Sequence, residues 1–179
     1  MKLRNSKKID FTGEVGGFEK FEAFGEAVLQ RIRVKDKAEV VIIVDRGYGI
    51  ADGEPRLVVD HLNLSGTNPL VGPNNPIGER FPVVNGIYLT AADTMDQEET
   101  WSMGNPLSKL KVGVAAGVRA GQKLSDAELE FVRGLGADFY CANLVPAMIV
   151  SAHAGLKVVG ILLPEGAQLS ENVVASLNK

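Results

Sequence analysis

The sequence predicts an α/β fold in which a mixed, largely parallel central sheet is flanked by helices. Apolar runs rich in β-branched residues, typical of strands buried on both faces of a sheet, occur at residues 40–44 and 158–163. They alternate with segments of helical spacing, and a capping box of Ser125 and Glu128 marks the start of one such helix. We expect residues 1–179 to form a single domain around this sheet.

Composition argues against several classes of protein. The chain is 45% hydrophobic and 23% charged, which is ordinary for a globular domain. Its apolar runs are much shorter than the ~20 residues of a membrane-spanning helix, and no apolar segment follows the basic N-terminus, so we expect neither a membrane protein nor a signal peptide. With a net charge of −3 and no long basic cluster, nucleic acid is not an expected partner. The single cysteine, Cys141, rules out an intrachain disulfide framework and fits a cytoplasmic protein.

In the first half of the chain, residues 1–12 predict an edge strand or a frayed terminus. A helix interrupted by Gly25 is predicted over residues 19–32. Its apolar residues at near-helical spacing are Phe21, Phe24, Val28, Leu29 and Ile32. Residues 39–44 and 56–60 read as strands.

The second half alternates strands and helices. Strands are predicted at residues 86–89, 111–115, 138–141 and 157–163, and residues 90–109 are expected to be irregular and exposed. The helix that follows Ser125 should end within residues 134–136. Pro146 is predicted to open another helix, capped by Gly155, and residues 170–177 form a terminal helix.

The longest irregular stretch is residues 60–82, DHLNLSGTNPLVGPNNPIGERFP. Its many Gly, Pro, Asn and Ser residues predict a long loop with a defined path. Interleaved large apolar residues favour order over a disordered linker: Leu62, Leu64, Leu70, Val71, Ile77 and Phe81. Composition alone leaves open whether this loop is functional or simply covers the core.

Polar side chains follow three of the predicted strands. Asp45, Arg46 and Tyr48 come after the first buried strand, Asn143 after the strand at 138–141, and Glu165 after the last strand. Because open α/β sheets place ligands at the carboxyl ends of their strands, these residues predict one polar cleft. A tight structural turn at 45–49, or charges that are merely solvated, are the competing interpretations.

Motifs in both halves of the chain resemble a known family. The loop carries Asp-His-Leu-Asn-Leu, Gly-Thr-Asn-Pro-Leu, Gly-Pro-Asn and Arg-Phe-Pro, and the second half carries Gly-Val-Ala-Ala-Gly-Val, Leu-Gly-Ala-Asp, Val-Pro and His-x-Gly-Leu-Lys-Val-Val-Gly. In order and spacing these resemble the trimeric purine nucleoside phosphorylases and methylthioadenosine phosphorylases, roughly over residues 40–165. The resemblance implies a nucleoside phosphorylase-like fold and a homotrimer with the loop at its interface. It also implies that Phe81 reaches the neighbour's nucleoside site, although plugging an interface pocket is an equally good role.

At the chemical positions this chain departs from the family. The purine-holding Glu aligns with Leu124 and the preceding Phe with Lys123. The Asn that bonds the departing base aligns with Gly166, and Asn143 stands where the family has a phosphate-binding Ser. The small-residue turn Asn-Ala-Ala-Gly-Gly is here residues 45–49, which add charge and bulk. The family's glycine- and serine-containing phosphate loop and its Arg/His pair have no counterpart in the sequence.

We therefore expect a phosphorylase-like protein whose phosphorolysis of purine nucleosides is impaired or altered. The alternative is a non-catalytic trimeric small-molecule-binding or scaffolding protein. The expected ligand is a purine nucleoside or related small molecule, and free phosphate is a doubtful one. The residues predicted to bind it are Phe81, Asp45, Arg46, Tyr48, Asn143 and Glu165. No catalytic residue is assigned and no cofactor or metal is expected, because His61 and His153 have neither triad nor ligand-cluster spacing.

Overall fold

The computed structural model describes residues 6–10, 37–73, 78–93 and 105–177 of the chain. A six-stranded mixed sheet forms the centre of this described part, in the order β1-β2-β6-β3-β4-β5. The strands are β1 (Ser6–Asp10), β2 (Val40–Arg46), β3 (Arg56–Asn63), β4 (Lys111–Gly117), β5 (Phe139–Cys141) and β6 (Lys157–Leu163). The helices are α1 (Asp126–Gly134), α2 (Leu144–His153) and α3 (Glu171–Leu177), with a 3₁₀ turn at Pro106–Lys109. The predicted α/β class is confirmed, whereas the helix predicted over 19–32 lies outside the described residues.

The sheet consists of two parallel sets of strands joined antiparallel. β2 runs parallel to β1 and to β6, while β3, β4 and β5 are parallel to one another. The two sets meet where β3 pairs antiparallel with β6, from Arg56 opposite Leu162 to Val58 opposite Gly160. β1 lies at the edge of the sheet, which agrees with the edge-strand alternative for the N-terminus.

Both faces of the sheet are covered, which explains why β2 is apolar along its length rather than alternating. Val41 and Ile43 belong to the buried cluster that includes Met148 of α2. Ile42, on the opposite face, belongs to a second cluster that includes Val173 of α3. A strand buried on both faces needs apolar side chains at successive positions, so the continuous run in the sequence follows.

α2 is an almost wholly buried helix that packs against β2, β3, β4 and β6. It begins at Leu144, so the prediction that Pro146 opens it is wrong by two residues. Pro146 is the third helical residue, and its missing N–H falls among the first-turn amides that have no partner within the helix. The helix ends at His153 and is followed by Gly155, whose φ of 73° agrees with the predicted cap.

β3 separates from β6 beside a bulge and stays paired with β4 as far as Asn63. Its pairing with β4 skips one residue between Val58 and Asp60, and its pairing with β6 extends no further than Val58. β3 then continues to Asn63, three residues beyond the predicted end of this strand. The strand predicted at 86–89 is a single parallel bridge between Tyr88 and Val158 of β6.

Outside the sheet, local sequence signals agree with the structure except near the 3₁₀ turn. Ser125 and Glu128 form the predicted capping box, and α1 ends at Gly134 as expected. Leu107 in the 3₁₀ turn is 1% exposed, so the prediction that this region is exposed is wrong there. The described parts of the long loop, 64–73 and 78–82, contain neither helix nor strand. None of the described helices has the length and hydropathy to cross a lipid bilayer.

Candidate functional site

Asp45, near the end of β2, is joined by hydrogen bonds to the start of α2. Its Oδ2 accepts from the backbone N–H of Asn143 and of Leu144, each at 2.8 Å, and its Oδ1 accepts from Asn143 Nδ2 at 3.1 Å. Oδ1 also accepts from the N–H of Arg46 at 2.8 Å. Asn143 itself, the residue before the helix, makes no side-chain capping bond. Asp45 therefore takes over the capping role that the residue preceding a helix usually fills.

The carboxyl group of Asp45 is almost fully buried, with 1% of the residue exposed. Burial raises the pKa of Asp45 above its usual value, because water no longer solvates the charged form. The hydrogen bonds donated by Asn143, Leu144 and Arg46 oppose this rise in pKa by favouring the anion. The helix start therefore holds a carboxyl group at the amides that would otherwise bind an anionic ligand.

Arg46 ties the end of β2 to the loop that follows β6. Its Nη1 donates to the carbonyl of Pro164 at 3.1 Å and to that of Ala167 at 3.4 Å. Glu165, within this loop, is exposed. Gly166 has a φ of 77°, a left-handed turn conformation that glycine adopts readily. Arg46 is thus bonded to the loop that carries Glu165, and whether the two residues share a ligand site stays a prediction.

Tyr48 stacks on a residue that the sequence analysis had not selected. Its ring lies 5.3 Å from that of Tyr140, with 25° between their planes. The backbones of the two residues exchange hydrogen bonds at 2.9 and 3.0 Å, which links the segment after β2 to β5. Tyr140 is 6% exposed and Tyr48 39% exposed, so Tyr48 presents the open part of the aromatic pair.

The turn that carries Tyr48 also contacts α1. Arg133 of α1 donates from Nη2 to the carbonyl of Gly49 at 3.0 Å. A Cβ on Gly49 would lie 2.9 Å from the side chain of Leu129, and its φ is 79°, so only glycine fits this turn without strain. The turn and α1 are therefore held in close contact. Like Tyr140, Arg133 contacts this turn but was not selected from the sequence.

Leu124, the position that the resemblance assigns to a purine-holding carboxylate, packs as an apolar side chain. It lies partly buried against the cluster of Ala116, Val118 and Tyr140. Its backbone N–H donates to the hydroxyl of Tyr140 at 3.3 Å. This part of the site thus offers apolar and aromatic surface, where the family has a carboxylate.

Phe81 is largely exposed within a single chain. It is 84% exposed, and the guanidinium carbon of the adjacent Arg80 lies 5.9 Å from the centre of its ring. Arg80 also donates to the carbonyl of Gly72, across the loop. Whether Phe81 and the strand-end residues bind a ligand stays a prediction.

The two histidines lie on β3 and at the end of α2. His153 is buried at the end of α2, and the ring of His61 lies 5.9 Å from that of Tyr88 in an edge-on arrangement. Burial lowers the pKa of His61, an effect that the charge of Asp60 opposes. In the part of the chain that the structure describes, no cluster of His, Cys, Asp and Glu is suited to a metal ion.

Comparison with known proteins identifies related sequences. No family model matches the chain. It is 31% identical over 154 residues to purine nucleoside phosphorylase 1 of Bacillus subtilis, covering 82% of this chain and 56% of the relative. It is 35% identical over 115 residues to the purine nucleoside phosphorylase of Bos taurus, covering 62% of this chain and 39% of the relative. The chain thus spans about half the length of the curated relatives it matches.

Solved structures share the fold. Isoform 2 of the Schistosoma mansoni purine nucleoside phosphorylase, in complex with cytosine and ribose-1-phosphate, has a TM-score of 0.62 and 24% identity, covering 89% of this chain and 63% of that chain. The Schistosoma mansoni purine nucleoside phosphorylase in complex with inosine has a TM-score of 0.64 and 20% identity, covering 90% and 63%. These similarities confirm the nucleoside phosphorylase-like fold that the motifs predict.

Proposed function

Since this chain is related to the purine nucleoside phosphorylase family, we propose that it binds a purine nucleoside or a related uncharged small molecule and catalyses little phosphorolysis. The observation that carries this proposal is the carboxyl group of Asp45, bonded to the first amides of α2. The names of the relatives support a purine-related ligand. The departures at the chemical positions support weak or altered catalysis.

Asp45 makes the start of α2 a poor place for phosphate. The N-terminus of a helix attracts anions through its free amides and its dipole. Here those amides already donate to a tethered carboxyl group, which an incoming anion would have to displace. In its ionised form, Asp45 would also repel an anion: two like charges about 4 Å apart cost about 4 kcal/mol at an effective dielectric constant of about 20.

The surface near Tyr48 suits an uncharged planar group. Tyr48 is 39% exposed where it stacks on Tyr140, and the apolar side chain of Leu124 packs against the cluster that contains Tyr140. A buried carboxylate that accepted a hydrogen bond from a purine N–H would discriminate strongly between bases. The side chain of Leu124 has no acceptor and cannot discriminate in this way. We infer that binding is broad among purine-like rings and weaker than in a site with that carboxylate.

We infer further that the protein assembles as a homotrimer through the long loop. Val71, Phe81 and Val83 are 81%, 84% and 80% exposed, and such large apolar side chains commonly mark an interface. In a trimer, Phe81 would approach the strand-end residues of a neighbouring subunit. The ligand site predicted from the sequence would then combine the strand-end residues of one subunit with Phe81 of its neighbour.

A non-catalytic binding or scaffolding role is the second candidate. It is favoured by the loss of the purine-holding carboxylate at Leu124 and of the base-bonding amide at Gly166. The two candidates differ in turnover, because a binding protein holds a nucleoside without cleaving it. A phosphorolysis assay with inosine therefore separates them.

Thermal unfolding with inosine or inorganic phosphate tests the proposal, since a ligand that binds the folded state raises the melting temperature. We expect inosine to raise the melting temperature of the wild type and phosphate alone to leave it unchanged. Asp45→Ser frees the first amides of α2 and should gain a phosphate-dependent rise. The matched control is Asp52→Ser, which removes an exposed aspartate far from α2 in the sequence. A phosphate-dependent rise in the wild type as large as in Asp45→Ser would overturn the proposal.

A further inference from the structure

The hydrogen-bonded ladder of the sheet has a gap where β3 separates from β6, and this gap is here called the wedge. Before the bulge, β3 pairs with β6 as far as Val58 opposite Gly160. Beyond it, the segment around Tyr88 takes the place beside β6: the N–H of Leu89 donates to Val158 at 2.7 Å, and the N–H of Val158 donates to Ile87 at 3.0 Å. The second half of β3 and this segment thus border a gap in the hydrogen-bonded ladder.

Two aromatic side chains face each other at this wedge. His61 of β3 and Tyr88 have ring centres 5.9 Å apart, with 63° between the ring planes. Tyr88 is 7% exposed and belongs to the main buried cluster, which also contains Cys141. The ring of Tyr88 therefore lies inside the protein, and His61 is partly buried beside it.

The polar atoms of this pair lack partners among the described residues. His61 Nδ1 and the hydroxyl of Tyr88 are both buried, and neither makes a hydrogen bond to the part of the chain that the structure describes. Buried polar atoms in native proteins are almost always paired with protein groups or with ordered water. A small polar molecule between these neighbouring rings would pair both atoms.

We propose that the wedge is a built hydration site, in which one water molecule bridges the hydroxyl of Tyr88 and Nδ1 of His61. Water fits because it both donates and accepts, as do a tyrosine hydroxyl and a neutral imidazole. A buried water commonly makes about three hydrogen bonds.

This water would position the start of the long loop. His61 lies in the last part of β3, just before the irregular segment that begins at Leu64. Tyr88 is anchored to β6 through its neighbours Ile87 and Leu89. A water bridge between the two rings therefore connects the last part of β3, which leads into the loop, to β6. The bridge spans the gap where β3 and β6 no longer pair.

The sign of one stability change tests the proposal. If the hydroxyl of Tyr88 is bridged by water, Tyr88→Phe breaks the bridge and leaves His61 unpaired, so the folding equilibrium constant should fall by roughly fivefold to tenfold. If the hydroxyl has no partner, the same variant removes an unsatisfied group, so the constant should stay level or rise. Tyr48→Phe is the matched control, because Tyr48 is 39% exposed and water reaches it in any case.

Nuclear magnetic resonance gives an independent readout. The chain has two histidines, so the ring nitrogen signals of His61 and His153 are easily told apart with a His153→Gln variant. We expect a long-lived water to show contacts to the ring protons of Tyr88 and His61, and Tyr88→Phe to abolish them and to shift the Nδ1 signal of His61. An unchanged Nδ1 signal together with a stabilised Tyr88→Phe variant would overturn the proposal.

Discussion

At the scale of single residues, Asp45 has the largest structural effect on the site. Its carboxyl group, near the end of a strand, accepts hydrogen bonds from the first amides of a helix that begins almost a hundred residues later in the chain. No local sequence signal links the two, because capping motifs are read from residues adjacent to a helix. The sequence correctly marked Asp45 and Asn143 as strand-end polar residues, but it did not predict that they bond to each other.

The stability of an Asp45→Asn variant tests this capping role. The new amide places an N–H group against backbone donors, so at least one buried N–H loses its acceptor. We expect a loss of about 1–3 kcal/mol in the free energy of unfolding, measured by urea denaturation. Asp52→Asn, at an exposed aspartate, is expected to change the free energy of unfolding by less.

The same variant also gives a test by pH. Burial raises the pKa of Asp45, so the native state holds this proton more tightly than the unfolded state does. The stability gained from that proton is complete below about pH 4, the usual value for an aspartate, and is lost as the pH rises through the raised pKa. The free energy of unfolding of the wild type should therefore exceed that of Asp45→Asn by a smaller margin as the pH rises above 4. A growing advantage would mean that the pKa is lowered instead.

At the scale of elements, local signals predicted what local forces determine. Ser125 and Glu128 form a capping box, and β6 begins and ends at the predicted residues, Lys157 and Leu163. The predicted element boundaries are wrong where contacts with distant parts of the chain determine them. α2 begins early because Asp45 caps it, and β3 runs on to Asn63 because β4 lies beside it. The stacking of Tyr48 on Tyr140 likewise depends on tertiary contact, which composition and periodicity do not reveal.

The capping box provides a test at this scale. Ser125 Oγ accepts from the N–H of Glu128 at 3.4 Å, and Glu128 Oε2 accepts from the N–H of Ser125 at 2.8 Å. Ser125→Ala should lower the free energy of unfolding by about 1 kcal/mol, because an amide in the first turn of α1 loses its acceptor. Glu130→Ala, at an exposed residue of the same helix outside the box, serves as the control in denaturant titrations. Equal losses in the two variants would show that the box contributes nothing specific.

At the scale of the whole molecule, the exposed apolar residues of the long loop predict self-association. Light scattering at micromolar concentration should give the mass of a trimer, and Phe81→Ser should shift the mass towards the monomer by removing apolar interface area. The control is Phe131→Ser, since Phe131 is also a largely exposed phenylalanine, 67% accessible, but lies on α1. A wild-type protein that is monomeric at this concentration would contradict the assembly.

The most direct test of the central claim is phosphorolysis of inosine at saturating phosphate. We propose that Asp45 occupies the anion-binding start of α2 and that Leu124 and Gly166 lack the polar contacts to the base. Losing one preorganised contact in a transition state commonly lowers the rate about 10²–10³-fold. We predict that this chain, purified free of host phosphorylase, is at least about 10²-fold slower than purine nucleoside phosphorylase 1 of Bacillus subtilis assayed alongside it. Turnover at a comparable rate would contradict the account.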